Sequence, residues 1–216
     1  MKRNLLILLA AMLLADTLSA QETEMPRLRH NSITTSPTTF LGDAFLLTYE
    51  HTLPHHSSLE VELGGQGFRW NERRASILGP ATRPGIVATI GYKLYLPRGE
   101  KNHAIADAGG LPPRSFFIKG RLSYVHQWSH YDVPRCNEGW DLITERYTLR
   151  ENDLSLALIF GKQFVSKHGF VAAPFFGFCI PLWIDGPFHD VSVSNPGNSA
   201  AFWGLTTWGV KLGWAF

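Results

Sequence analysis

Charge is scarce in this 216-residue chain: Asp, Glu, Lys and Arg make up 18% of it, and the formal net charge is +2. So small an excess argues against a nucleic-acid partner, which calls for a strongly basic face. Cysteine is scarcer still, with only Cys136 and Cys179. Neither lies near the N-terminal apolar stretch, so a lipid-anchored lipoprotein is not expected. Beyond that stretch no apolar run approaches the ~20 residues that a membrane-crossing helix needs. What the chain has instead is 12% aromatic residues, including 7 Trp, and 20 Gly. Such a composition still allows one way through a membrane, a closed β-barrel, in which every backbone polar group is satisfied between strands.

The first residues carry an export signal. Lys2 and Arg3 form a basic start, Leu5 to Leu14 an apolar run, and small residues follow. This is the pattern of a secretory signal peptide over 1–20, with Ala20 as the last residue before cleavage. Leu18 stands where a small residue is preferred, which blurs the cut. The remainder, 21–216, is the length of one domain.

The last nine residues are the most telling. Trp208, Val210, Leu212, Trp214 and Phe216 fall on one face of a strand, and Gly209, Lys211, Gly213 and Ala215 on the other. One face is wholly apolar and the other is small or charged, as a lipid-facing barrel strand requires.

Eight segments have strand character: about 27–35, 43–51, 57–67, 85–96, 115–128, 153–164, 169–180 and 201–216. Pro, Gly, Asn and Asp gather between them. The predicted fold is therefore all-β, an antiparallel up-and-down transmembrane barrel of eight strands, the smallest size such barrels take. Alternation is clear in most segments: Leu59, Val61 and Leu63 oppose Ser58, Glu60 and Glu62, and Ile86 to Leu94 alternate with Val87, Thr89, Gly91 and Lys93. In the seventh, Phe170, Ala172, Phe176 and Phe178 oppose Ala173, Gly177 and Cys179, and Pro174 predicts a bulge. The first segment is the weakest.

If the chain ends on the periplasmic side, the external connections are about 36–42, 68–84, 129–152 and 181–200, and the internal ones 52–56, 97–114 and 165–168. The stretch 97–114 is too long for a plain turn, and nothing in its residues gives it a role. In this orientation Glu50, Glu60, Lys93, Lys119 and Lys211 point inward near the periplasmic end, with Glu62 and Arg121 one layer higher. Opposite signs should meet, because buried charges are costly unless paired. The expectation is a charge network plugging a narrow lumen. Its alternative is a set of charges facing trapped water. A general porin is disfavoured, since eight strands enclose about the space their own side chains fill.

Thr48-Tyr-Glu-His-Thr-Leu53, Ser58-Leu-Glu-Val-Glu-Leu-Gly64, Gly91-Tyr-Lys-Leu-Tyr95 and Gly209-Val-Lys-Leu-Gly-Trp-Ala-Phe216 resemble, in order and spacing, small outer-membrane β-barrel proteins of unknown function common in Bacteroidota. In architecture the chain is also similar to the OmpA and OmpX type of eight-stranded barrel, without OmpA's periplasmic domain. The resemblance implies a location in the cell outer membrane, contact with its lipid, and handling by the barrel assembly machinery. Trp214 and Phe216 would be the assembly signal. It supplies no catalytic residues.

Other candidates are weighed against plainer readings. His51, His55 and His56 cluster in one connection, but acid or Cys ligands are not apparent, so no metal or other cofactor is expected. His30, Ser32 and Glu50 are a nucleophile–base–orienter set on adjacent strands, enough to keep a lipid A-modifying enzyme as the alternative. A secreted soluble barrel binding an apolar ligand is the second alternative. Cys136 and Cys179 are a possible disulfide, set against Cys179 as a plain lumen residue. Trp70, Trp128 and Trp203 are expected at an outer aromatic girdle, and Tyr49, Tyr92, Trp214 and Phe216 at an inner one. Arg69, Trp70, Arg73, Arg74, Trp140, Trp183 and Phe188 in the external loops offer residues for an extracellular partner.

Overall fold

A computed structural model of the chain describes residues 28–40, 44–67, 84–136, 142–185 and 206–216. Residues 1–27, expected as the signal peptide and the start of the first strand, and parts of the connections 36–42, 68–84, 129–152 and 181–200 lie outside that set. Eight strands run in chain order: β1 (Asn31–Thr35), β2 (Ala44–Leu53), β3 (Ser57–Gln66), β4 (Gly85–Pro97), β5 (Arg114–Cys136), β6 (Leu142–Val165), β7 (Phe170–Asp185) and β8 (Thr206–Ala215). Each pairs antiparallel with the next, and β8 returns to β1, so the sheet is a closed barrel. Two helical segments join it, α1 (Pro37–Phe40) and α2 (Glu100–Asp107). Among the described residues no helix is long and apolar enough to cross a membrane.

The pleat carries the alternation of the sequence directly into burial. Through β2 and β4, buried and exposed residues alternate almost without a break. The apolar parity is the exposed one: Leu63, Ile86, Ile90, Leu158 and Phe178 are each about half exposed on the outer wall. The polar parity is buried: Glu60 is 1% exposed, Lys93 2% and Lys119 2%. Two of the positions whose face was named from the sequence depart from it. Ala172 and Val210 belong to outward rows yet are 8% and 5% exposed.

Val210 explains itself at the closing seam. β1 and β8 share only four residue pairs, from Ser32↔Ala215 to Thr35↔Leu212. Above them α1 takes the place of further strand. The Thr38 hydroxyl accepts from the Val210 N–H (3.3 Å), and the Ser36 hydroxyl donates to the Val210 carbonyl (3.2 Å). Side-chain oxygens thus satisfy a backbone that β1 is too short to reach.

Three segments differ from expectation. The bulge is not at Pro174, which stays in register opposite Val210; the register shifts at Leu154/Ser155 instead. β5 and β6 pair continuously from Arg114↔Phe164 to Cys136↔Leu142, so most of 129–152 is ladder rather than loop. Trp183, expected in a loop, belongs to β7, pairs with Leu154 of β6 and is exposed.

The stretch 97–114 is a cap. It contains α2 and then folds across the end of the barrel that carries the short turns. Leu111 donates to the Arg29 carbonyl (2.7 Å) and Val165 to the Pro113 carbonyl (2.8 Å). The Thr52 hydroxyl donates to the Gly109 carbonyl. The Leu111 side chain enters an apolar floor with Tyr95, Phe117, Ile159 and Val171. The β2–β3 turn is held to this cap. His55 and His56 both have φ 61°, a left-handed conformation costly for non-glycine residues. His56 is fixed there on both sides, by its N–H to the Ala106 carbonyl and its carbonyl to the Tyr95 N–H (2.7 Å).

Candidate functional site

The lumen holds the densest chemistry in the described residues. Glu60 on β3 lies at its centre because the pleat turns it inward, where lysines from three other strands converge on it. It meets Lys93 from β4, Lys119 from β5 at 2.5 Å and, from across the barrel, Lys211 of β8 at 2.8 Å. Glu62 takes the same two lysines, Lys119 at 3.1 Å and Lys211 at 2.6 Å. Glu50 on β2 binds Lys93 at 2.9 Å. Three carboxylates and three ammonium groups therefore share their charges in one connected array, as burial requires. Arg121, the seventh residue expected in this network, lies near Glu62 and lines the small cavity above it.

Uncharged neighbours complete the array. Ser58 donates to Glu50 at 2.6 Å, and the Tyr95 hydroxyl donates to the same carboxylate oxygen. Lys93 also donates to the Gln163 amide oxygen at 3.2 Å and sits 4.8 Å over the Phe117 ring. Tyr95 and Gln163 were not singled out from the sequence. Both have the inward parity of their strands, Tyr95 two residues beyond Lys93 and Gln163 two beyond Gly161, and that was the signal available. Small residues make the room: a Cβ on Gly91 would lie 3.2 Å from the Lys119 stem, and one on Gly161 would run into the Phe117 ring.

The nucleophile candidate takes a different form from the one expected. Ser32 is fully buried in the lumen and donates to Glu50 at 3.3 Å. His30 is exposed at the rim, with Nδ1 2.8 Å from the Gly109 carbonyl. Among the described contacts His30 and Ser32 do not meet. Glu50 is already engaged by Lys93, Ser58 and Tyr95.

The proposed disulfide does not form. Cys179 is a free, buried thiol beside Ala157. From Arg121, the partner of Ala157, to Cys136 the strand climbs roughly 50 Å at about 3.3 Å per residue, far beyond the reach of a disulfide. The histidine turn assembles no metal cluster among the described residues. His56 instead pairs with Asp107 of the cap at 2.8 Å, and His51 with Asn31 at 2.8 Å.

Comparisons of the chain with protein-family models, with curated proteins and with solved structures give no match.

On the outer wall, Tyr49, Tyr92, Trp214 and Phe216 are all about half exposed at the capped end. Trp128, near the other end, is half-buried and packs edge-on against His126 at 4.6 Å. Trp70, Trp203 and the loop residues Arg69, Arg73, Arg74, Trp140 and Phe188 lie outside the described residues.

Proposed function

We propose that this chain is an integral β-barrel of the bacterial outer membrane, exported by its N-terminal signal and inserted by the barrel assembly machinery. Its role is structural or one of surface contact, not transport through the lumen. One observation carries this reading: the barrel is inverted relative to a soluble protein. Its large apolar side chains form the outer wall, and its ionised side chains are inside. In water such a wall would be a contiguous apolar surface far beyond what a soluble monomer tolerates. In a bilayer it is the required surface, with Tyr49, Tyr92, Trp214 and Phe216 at one interface.

The lumen argues for the plugged form. The charge array spans from β2 and β3 to β8, and the cap and its Leu111 close the end beneath it. A soluble ligand-binding barrel would want the reverse, an apolar interior with room in it. A lipid-modifying enzyme would want its nucleophile at the wall, where lipid is, and Ser32 is enclosed in the lumen.

The test is cell fractionation followed by electrophoresis with and without boiling. The protein is expected in the outer-membrane fraction, and the unboiled form is expected to migrate differently from the boiled one. Recovery in the soluble fraction would overturn the reading.

A further inference from the structure

We propose that the outer wall at the capped end binds the headgroup of one anionic phospholipid, through Lys162 and Arg114. The site rests on the membrane reading above, and its test separates the two.

The outward rows of the wall are apolar almost throughout. Between the cap and Asn152, the fully charged side chains on those rows, among the described strand residues, are Arg114 and Lys162 alone. The pairing makes them neighbours. Arg114 lies opposite Phe164 and Phe116 opposite Lys162, so two cations and two phenyl rings form one block. Lys162 Nζ sits 4.7 Å from the centroid of the Phe164 ring and 5.5 Å from that of Phe116. The Arg114 guanidinium lies 5.7 Å from the Phe164 centroid. Phe164 is only 8% exposed although its row faces outward, and these two cations are part of its cover.

Two like charges thus gather at one ring. Diagonal neighbours on an antiparallel pair stand about 7–8 Å apart, so side chains this long can reach one phosphate group together. Arg114 has a further contact of its own. Lys162 meets rings and no carboxylate among its described contacts, which makes it the principal base.

Position and charge decide the ligand. A cation on a lipid-facing wall is costly at the bilayer midplane and cheap near the interface. Arg114 opens β5 directly after Pro113, whose carbonyl is bonded to Val165, so the block stands at the capped rim. That rim also carries exposed Arg98, Lys101 and Lys167. The acidic side chains there are Glu100 and Asp107, and Asp107 is held by His56. A basic rim at the membrane surface favours a net negative headgroup over a zwitterionic one, whose own cation opposes the bases. Phe116, Phe160 and Leu158 continue the same wall towards its middle, each about half exposed. They offer the acyl chains a surface that a free phosphate ion cannot use.

The experiment refolds the barrel into phosphatidylcholine vesicles with and without phosphatidylglycerol, reading insertion from the shift between unboiled and boiled forms. Native mass spectrometry from mixed micelles of the two lipids then counts the lipid retained. Insertion into both vesicles is expected, with one phosphatidylglycerol retained in preference to phosphatidylcholine. Lys162→Gln should lower that preference about fivefold, as for one base lost at an anionic surface, and Arg114→Gln/Lys162→Gln should lower it further. If the double variant fails to insert, Lys162→Gln carries the test. Lys101→Gln, on the cap, should change the preference far less, and inorganic phosphate should not displace the lipid. Failure to insert into either kind of vesicle would overturn the membrane reading and this site with it. Normal insertion with equal retention of the two lipids would overturn the site alone. So would an unchanged preference in Lys162→Gln, an equal loss in Lys101→Gln, or displacement by inorganic phosphate.

Discussion

The β5–β6 hairpin and the β1–β8 seam are the two extremes of the same wall. The hairpin is held by 23 consecutive residue pairs and the seam by four. A closed barrel opens at its weakest pairing, so the seam must draw its stability from elsewhere. Part comes from Thr38 of α1 and from Ser36 just before it, whose hydroxyls meet the backbone of Val210. More comes through the lumen. Lys211 reaches from β8 to both carboxylates of β3, and Ser32 of β1 donates to Glu50 of β2. The charge array is therefore more than a plug. It ties the seam strand to the opposite side of the barrel, while the hairpin holds itself by its own ladder.

The largest effect follows from removing the centre of that tie. Glu60→Gln leaves Lys93, Lys119 and Lys211 buried around a neutral amide, and breaking a buried pair in this way costs about 3–5 kcal/mol. In a urea titration of the refolded barrel, the midpoint should fall accordingly. Hydrogen exchange should show β8 and β1 amides losing protection well before those of β5 and β6. Uniform loss around the barrel would break the comparison. Lys119→Met is the control within the same array. Glu60 keeps Lys93 and Lys211, and Glu62 keeps Lys211, so the expected cost is only about 1–3 kcal/mol. No loss at all would mean that the array does not stabilise the fold.

A substitution on the hairpin's outer face asks what that ladder stands in. Leu158 is 48% exposed in mid-β6 and makes no part of the seam. Within a bilayer Leu158→Arg should cost about 2–4 kcal/mol, with the loss measured in lipid vesicles. A soluble barrel would accept the same arginine at little cost. An unchanged titration curve would therefore count against the membrane reading while leaving the seam argument intact.

Most of this wall was legible in the sequence, because a period of two leaves no freedom once one face is chosen. The parity that put Trp214 and Phe216 outward placed Lys211, Lys119 and Glu60 inward, and opposite signs did the rest. The parts that were not legible depend on contacts between distant segments. α2 is too short to show helical periodicity, and Leu111 looks like any loop leucine until the cap folds under the floor. The far half of the hairpin carries Asp132, Pro134 and Asn152, residues that read locally as loop, yet its ladder runs through them. Parity puts Lys162 outward but could not say that Arg114 would share its ring.

The smallest effect is also the most specific to the seam. Thr38→Ala removes the hydroxyl that receives the Val210 N–H, leaving the strand pairs and the charge array untouched. One neutral hydrogen bond contributes about 1 kcal/mol, so the global titration should shift only slightly. The exchange rate of the Val210 amide should rise much more, because β1 ends at Thr35 and supplies no other acceptor at that level. A Val210 amide as protected in the variant as in the native chain would mean that β8 is held there by packing alone. The Ser36 hydroxyl and the lumen tie would then be what compensates for the short seam.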